Sequence, residues 1–280
     1  MKWISFEKDG KESFGLVVGE AVIDAGARTR FGTLKEAIAS DESLDSIGRS
    51  LGQSGDFLLE DVVFLPTITR PDKILCVGLN YKEHQEETGR GGEDNPTIFV
   101  RFASAQIGHE AKMIRPTEST NLDFEGEIAV IIGKGGRRIK KSDWLEHVAG
   151  FSCYNDGSVR DYQRHTSQFT PGKNFTGTGG FGPWMVTPDE IDDFDEMEIT
   201  TRLNGEVMQN AKAKLLVFGF GDLVQYISSF TELVAGDVIV TGTPGGVGSA
   251  RNPPVWMDEG DIIEIQVDPI GTLTNHVTVG

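Results

Sequence analysis

The chain has 280 residues, 38% of them hydrophobic and 25% charged, enough for one large domain or two unequal ones. Its formal net charge of -17 argues against nucleic acid and anionic membranes as partners and raises the local concentration of divalent cations. No run reaches the roughly 18 to 20 apolar residues of a membrane span, and the start turns polar too soon for a signal peptide, so a cytoplasmic protein is expected.

In chain order, residues 2–7, 13–18 and 21–24 read as short strands, with turns at Asp9-Gly10 and Gly19-Glu20. Helical patterns follow over 33–39 and 42–51, with Ser40-Asp41 as the cap. Residues 1–65 are therefore expected to form a small β-rich domain, a scaffold or oligomerisation module without concentrated catalytic side chains. Pro66 and Pro71 favour extended backbone and mark 65–71 as a linker. From 71 to 280, strand candidates lie at 74–77, 98–101, 127–132, 198–203, 237–241 and 261–267, with a clear helix over 215–230. Strands outnumber helices without regular βαβ alternation. The expected class is α+β and β-rich, with a mixed β-sandwich or β-roll as the catalytic domain. Cys76 and Cys153 lie in apolar runs without metal-type spacing and read as reduced core residues.

Several segments carry chemistry. His84 and Glu87 share a face if their segment is helical, and a carboxylate beside an imidazole suits a general base. Spacing alone leaves this reading level with a surface helix that carries a histidine among glutamates. The glycine-rich, charged stretch 86–95 has the composition of a mobile lid. Glu125 and Glu127 stand two apart beside an apolar run, so both should project from one face while Ile128, Val130 and Ile132 line the other. A solvated edge pair is the plain alternative. Like charges on a buried strand instead call for a cation, and an oxygen-only set favours magnesium, manganese or calcium. Asp156 ends another apolar run, and Arg160, one turn later, is placed to share its neighbourhood.

Lys173 is a candidate cation for the same site, although a flexible surface lysine is the ordinary reading. Gly177, Gly179 and Gly182 match the spacing of a dinucleotide-binding loop, but Pro183-Trp184-Met185-Val186 reads as a strand where a helix would be needed. We reject a nucleotide site there and expect the glycines to let backbone approach a substrate. Residues 241–248 could receive an anion on hydroxyl and N–H groups, with a simple tight turn as the competing reading.

Taken together these segments resemble the fumarylacetoacetate hydrolase family. The likeness rests on Gly78-Leu79-Asn80-Tyr81 with His84, on Glu125-Gly126-Glu127, and on Asp156 with Arg160-Asp161 and Gln163. It continues through Lys173, Gly182-Pro183-Trp184 and Thr241-Gly242-Thr243-Pro244. It runs from about Pro71 to the C-terminus, with the N-terminal unit similar to the small leading domain of many members. The resemblance implies Glu125, Glu127 and Asp156 as metal ligands, magnesium first and manganese or calcium as alternatives. It implies His84, Glu87 and Lys173 as catalytic residues, Arg160, Gln163 and Thr243 as substrate contacts, and a homodimer. Thr176 departs from the pattern, standing where carbon–carbon bond-cleaving members often carry an acid, which bears on the substrate more than on the metal.

The expected activity is metal-dependent hydrolysis of a carbon–carbon bond in 2,4-dioxo acids (acylpyruvates, as in aromatic catabolism), yielding pyruvate and a carboxylic acid. The alternatives are decarboxylation of oxaloacetate-type acids, or isomerisation or hydration of unsaturated 2-oxo acids. A non-catalytic carboxylate- or calcium-binding protein is a reading of another class, which would not need the pairing of His84 with Glu87.

Overall fold

A computed structural model describes residues 1–92 and 94–280. Two sheets organise it. The larger runs, in spatial order, through Phe57–Leu58, Ala21–Asp24, Lys11–Val18, Lys2–Lys8, Gly179–Val186, Val148–Asp156, Gly126–Ile132, Val238–Val240, Ile74–Gly78 and Thr97–Arg101. The smaller orders Glu206–Lys212, Glu198–Leu203, Ile262–Asp268, Gly271–Val279 and Lys112–Arg115. The result is α+β and strand-rich, with mixed pairing.

Gly126–Ile132 is buried on both faces, which explains its near-continuous apolar sequence. Ile128, Val130 and Ile132 join the core shared with the smaller sheet, through Ile199, Ile265 and Val267. Ala129 and Ile131 face the opposite core, among Trp3, Ile23, Leu34 and Ile47 from the first 65 residues. That second core has no break at residue 65. Lys2–Lys8 pairs antiparallel with Gly179–Val186, putting the leading strands in the same sheet as the strands of the site. Residues 65–71, expected as a linker, lie against that sheet: Thr67 is buried, its N–H donates to the Phe181 carbonyl, and its own carbonyl accepts from the Ser5 hydroxyl.

Two helical expectations shift. The second N-terminal helix is Leu44–Ser50, capped by Ser43 rather than by Ser40-Asp41, with the Ser43 hydroxyl accepting from the Ser46 N–H. The long helix is Phe220–Phe230 and does not begin at 215. Residues 217 and 218 give their N–H groups to the Asn80 carbonyl and to Asn80 Oδ1, so tertiary bonds hold them outside the helix despite good helical composition. Within the helix, Phe220, Leu223, Val224 and Ile227 form the buried face. Cys76 and Cys153 are free and buried, and burial pushes the Cys153 thiol up to about 12. Among the described residues no helix is long and apolar enough to cross a membrane.

Candidate metal centre and catalytic cavity

Strand register builds the site. Gly126–Ile132 and Val148–Asp156 run antiparallel with Gly126 opposite Asn155, so the start of one meets the end of the other. Glu125, just before the first strand, therefore stands beside Asp156. Backbone bonds fix this: the Asp156 N–H donates to the Glu125 carbonyl at 2.8 Å, and the Glu125 N–H to Asn155 Oδ1 at 3.0 Å. Val238–Val240 pairs antiparallel with Gly126–Ile132 and parallel with Ile74–Gly78. The last two strands thus deliver residues 241–248 and the His84 helix, Lys82–Thr88, toward the same carboxylates.

Glu125, Glu127 and Asp156 are all buried, and one oxygen from each lies within 4.8 Å of the others. The solvated-edge reading of the two glutamates is thereby excluded. Lys173, only 1% exposed, is no surface lysine: its Nζ bridges Glu125 Oε2 at 2.6 Å and Asp156 Oδ2 at 2.7 Å. Arg160 shares the neighbourhood of Asp156 without pairing with it: it joins Asp123 at 2.7 Å and Glu125 at 2.5 Å, and Lys173 links Glu125 to Asp156. Asp156 is matched instead by Arg101, which reaches Oδ1 at 2.5 Å and also donates to the Gly157 carbonyl and the Thr178 hydroxyl.

Four buried carboxylates, counting Asp123, thus face three buried cations. Glu127 is the one left over. Its Oε2 accepts the Gly242 N–H, and it has no cationic partner among the described residues. Burial, then the charges of Asp156 and Glu125, push its pKa well above the glutamate range. Burial acts the same way on Glu125, but Arg160, Lys173 and His84 outweigh it and hold that carboxyl well below the range. An unmatched buried carboxyl beside two further carboxylate oxygens is what a hard divalent cation would complete, by taking the place of its proton. The residues fit such an ion.

His84 is buried, with Nδ1 2.7 Å from Glu87 Oε1. The other Glu87 oxygen accepts the Gly246 N–H at 2.9 Å, which ties the helix to the 241–248 turn. That turn does receive a carboxylate, the protein's own Glu127 through Gly242. A cavity of about 610 Å³ brings His84 and Glu87 together with Glu125, Glu127, Lys173 and Arg160. Gln163 and Thr243 also line it, while Asp156 lies fully buried behind. The Thr243 hydroxyl donates to the Gly126 carbonyl and accepts from Gln209, so its proton is already committed. The helix carrying the dyad ends at Gly89 with φ +65°. Of the stretch 86–95 expected as a lid, Glu93 lies outside the described residues.

The glycine-loop expectation is corrected. Gly179–Val186 is a strand, and none of Gly177, Gly179, Gly180 or Gly182 lines the cavity. A Cβ on Gly179 or Gly180 would stand 2.3 Å from Gln106 Oε1 or 2.6 Å from Asn275 Oδ1, so those glycines serve close packing within the protein. Thr176 is exposed and does not line the cavity.

Sequence reasoning missed two charged residues. Asp123 could have been found, since 123, 125 and 127 continue the same period of two. Arg101 ends an ordinary apolar strand and carries no local signal. Gly157 matters beside it, because a Cβ there would stand 2.2 Å from the Thr178 carbonyl oxygen. Gly157→Ala should cost about 1 to 3 kcal/mol of stability through overpacking. Thermal unfolding of the purified variant would measure this, and an unchanged midpoint would show that the contact relaxes freely.

Residues 73–278 match the family described as fumarylacetoacetate (FAA) hydrolase C-terminal. The chain is 42% identical over 219 residues to oxaloacetate tautomerase FAHD2A, mitochondrial, of Bos taurus, covering 78% of this chain and 70% of that protein. It is 36% identical over 260 residues to oxaloacetate tautomerase YisK of Bacillus subtilis (strain 168), covering 88% and 86%. Among solved structures, maleylpyruvate hydrolase from Sphingobium sp. SYK-6, in complex with manganese (II) ion and pyruvate, is similar with a TM-score of 0.84. That match has 26% identity and covers 100% of both chains.

Proposed function

The chain belongs to the fumarylacetoacetate hydrolase family, and from that premise we propose that it is a divalent-metal-dependent enzyme interconverting the keto and enol forms of a short 2-oxo acid, with oxaloacetate as the first substrate to try. One observation carries the reading: the His84–Glu87 couple opens into the same cavity as the buried carboxylates. Tautomerisation needs a proton acceptor beside a polarised carbonyl; the histidine fits the first need, and carboxylates fit to hold a divalent metal would meet the second.

Magnesium or manganese held by Glu125, Glu127 and Asp156 would draw negative charge onto the 2-oxo oxygen. The remaining steps fall to the chain. Glu87, fixed by the Gly246 N–H, holds His84 through Nδ1 and leaves Nε2 to take a proton from the carbon next to the carbonyl and deliver it to the enolate oxygen, and to carry it from that oxygen to the carbon in the ketonising direction. Arg160 Nη2 is buried without a hydrogen-bond partner among the described residues and is the donor for the substrate carboxylate nearest the metal. Gln163 accepts from Arg160 Nη1 through Oε1, which frees its NH₂ for the same carboxylate. Lys173 holds Glu125 and Asp156 in place and adds positive charge where the oxygen becomes anionic.

Cleavage of 2,4-dioxo acids to pyruvate and a carboxylic acid is the second reading. It is favoured by a cavity larger than a four-carbon acid needs and by the likeness to maleylpyruvate hydrolase. His84 would then take its proton from water.

The test compares loss of oxaloacetate enol with pyruvate release from a panel of dioxo acids, each with and without magnesium or manganese. Metal-dependent acceleration of ketonisation is expected. Metal-dependent pyruvate release from dioxo acids, with ketonisation at the uncatalysed rate, would assign the hydrolase instead. Pyruvate from oxaloacetate itself would point to decarboxylation.

A further inference from the structure

We propose that Arg251 is a positioning residue for the proton acceptor: by clamping Gly246 it fixes Glu87, and through Glu87 the orientation and tautomer of His84. This rests on the reading of His84 and Glu87 as the proton acceptor of the cavity.

The turn over residues 241–248 is anchored at both ends. Near its start the buried Gln209 donates to the Thr243 hydroxyl and the Pro244 carbonyl at 2.8 Å each, while its Oε1 accepts the Gly126 N–H. At its far end the Gly248 and Ser249 N–H groups donate to Asp123 at 2.8 and 2.9 Å. Between these anchors the Gly246 N–H donates to Glu87 Oε2 at 2.9 Å, and the other oxygen of that carboxylate holds His84 Nδ1. The dyad thus hangs from the middle of the turn.

That middle is built of glycine. Gly246 has φ +98°, and a Cβ there would stand 2.3 Å from the Met208 carbonyl oxygen. A Cβ on Gly245 would stand 3.1 Å from the Glu83 Cβ, so the turn lies directly against the helix that carries the dyad. Glycine permits these approaches, but it does not hold its own conformation. Another group has to hold it.

Arg251 does so. Its Nε donates to the Gly246 carbonyl at 3.2 Å and its Nη2 to the Met208 carbonyl at 2.8 Å. Met208 is the extra residue of a bulge in Glu206–Lys212, since Thr201 pairs with Gln209 and Arg202 with Val207. One planar guanidinium therefore locks the turn to the smaller sheet. In a chain with 43 acidic residues, Arg251 is half-buried and spends itself on backbone carbonyls, with no ion pair among the described residues. It does not line the cavity, so it reaches a substrate only through Gly246, Glu87 and His84.

The consequence is specific. A fixed Glu87 carboxylate keeps the proton of neutral His84 on Nδ1 and leaves Nε2 as the acceptor. A carboxylate free to swing lets that proton sit on either nitrogen, and only one of the two tautomers can accept at Nε2.

Nitrogen NMR of the magnesium-loaded protein labelled at histidine tests this at alkaline pH, with His84→Gln to assign the His84 signals. Wild type should show Nδ1 protonated and Nε2 bare. Arg251→Met, which keeps an unbranched stem and removes the donors, should show a mixture of both tautomers. It should also lower kcat for ketonisation about tenfold or more, with KM and magnesium affinity nearly unchanged. Arg251→Lys, which can still donate to one carbonyl, should recover part of both effects.

A single unchanged tautomer in Arg251→Met, whatever its melting temperature, would overturn the inference and leave Arg251 a purely structural residue. A mixture already present in wild type would overturn it too. So would a fall in magnesium affinity as large as the fall in kcat, which would place the effect at the metal centre. The tautomer is read without turnover, so the two claims fail separately. A tautomer that Arg251→Met mixes, in a protein whose wild type ketonises nothing, sinks only the tautomerase. An active wild type with an unmoved tautomer sinks only the clamp.

Discussion

Glu127→Gln is expected to weaken magnesium or manganese binding by more than about 100-fold, beyond the cost of losing an outer-shell partner, while the metal-free protein becomes more stable. Both effects follow from one charge. Glu127 is buried and has no cationic partner among the described residues, and burial with the neighbouring carboxylates raises its pKa. A raised folded pKa means that the folded state holds its proton over a pH range where the unfolded state has lost it. The stability it contributes is complete below the unfolded value and is lost as pH rises through the folded value. Glutamine keeps the shape and can still accept the Gly242 N–H, but has nothing to ionise. Metal-free Glu127→Gln should therefore unfold at a higher temperature than metal-free wild type at pH 8, with the gap closing toward pH 5. Added manganese should reverse the order. Titration calorimetry and melting curves at both pH values would check it. Unchanged metal affinity would remove Glu127 from the ligand set, and a variant less stable without metal would show that the carboxylate is satisfied in a way the geometry does not reveal.

His84→Ala should lower turnover by about 10² to 10⁴, the usual contribution of a general base, with metal affinity changed only a few-fold. The asymmetry comes from placement. His84 bonds Glu87 and none of Glu125, Glu127 or Asp156, whereas those carboxylates are held by Lys173, Arg160, Arg101 and Gly242. Glu87 keeps its Gly246 contact in the variant, so the turn beside the metal centre should stay in place. Loss of ketonisation and of dioxo-acid cleavage together would assign one proton acceptor to both reactions. Loss of cleavage alone would confine His84 to activating water. Full activity on every substrate would put the base elsewhere in the cavity and sink the proposed role of the dyad.

The sequence by itself determined the local chemistry. Period-two spacing put Glu125 and Glu127 on one face and Ile128, Val130 and Ile132 on the other, and the structure keeps that division. The i,i+3 spacing placed Glu87 beside His84. The proline and the strand-like run after the glycines excluded a nucleotide loop, and the strand is there. Each of these follows from backbone geometry over a few residues.

Tertiary structure alone decided which charges meet. Arg160 lies four residues from Asp156, yet it serves Asp123 and Glu125, while Asp156 takes Arg101 from 55 residues away. Lys173 could not be told from a surface lysine until the short helix carrying it was seated against the strands. The Phe220–Phe230 helix begins at its Gly219 cap, with Asp222 accepting the Gly219 N–H, and the residues before it are held out of the helix by Asn80, more than a hundred residues earlier. Burial is the physical reason. A charge sunk in the interior must find its complement wherever the sheets bring one near, and sheet pairing joins residues without regard to their distance along the chain.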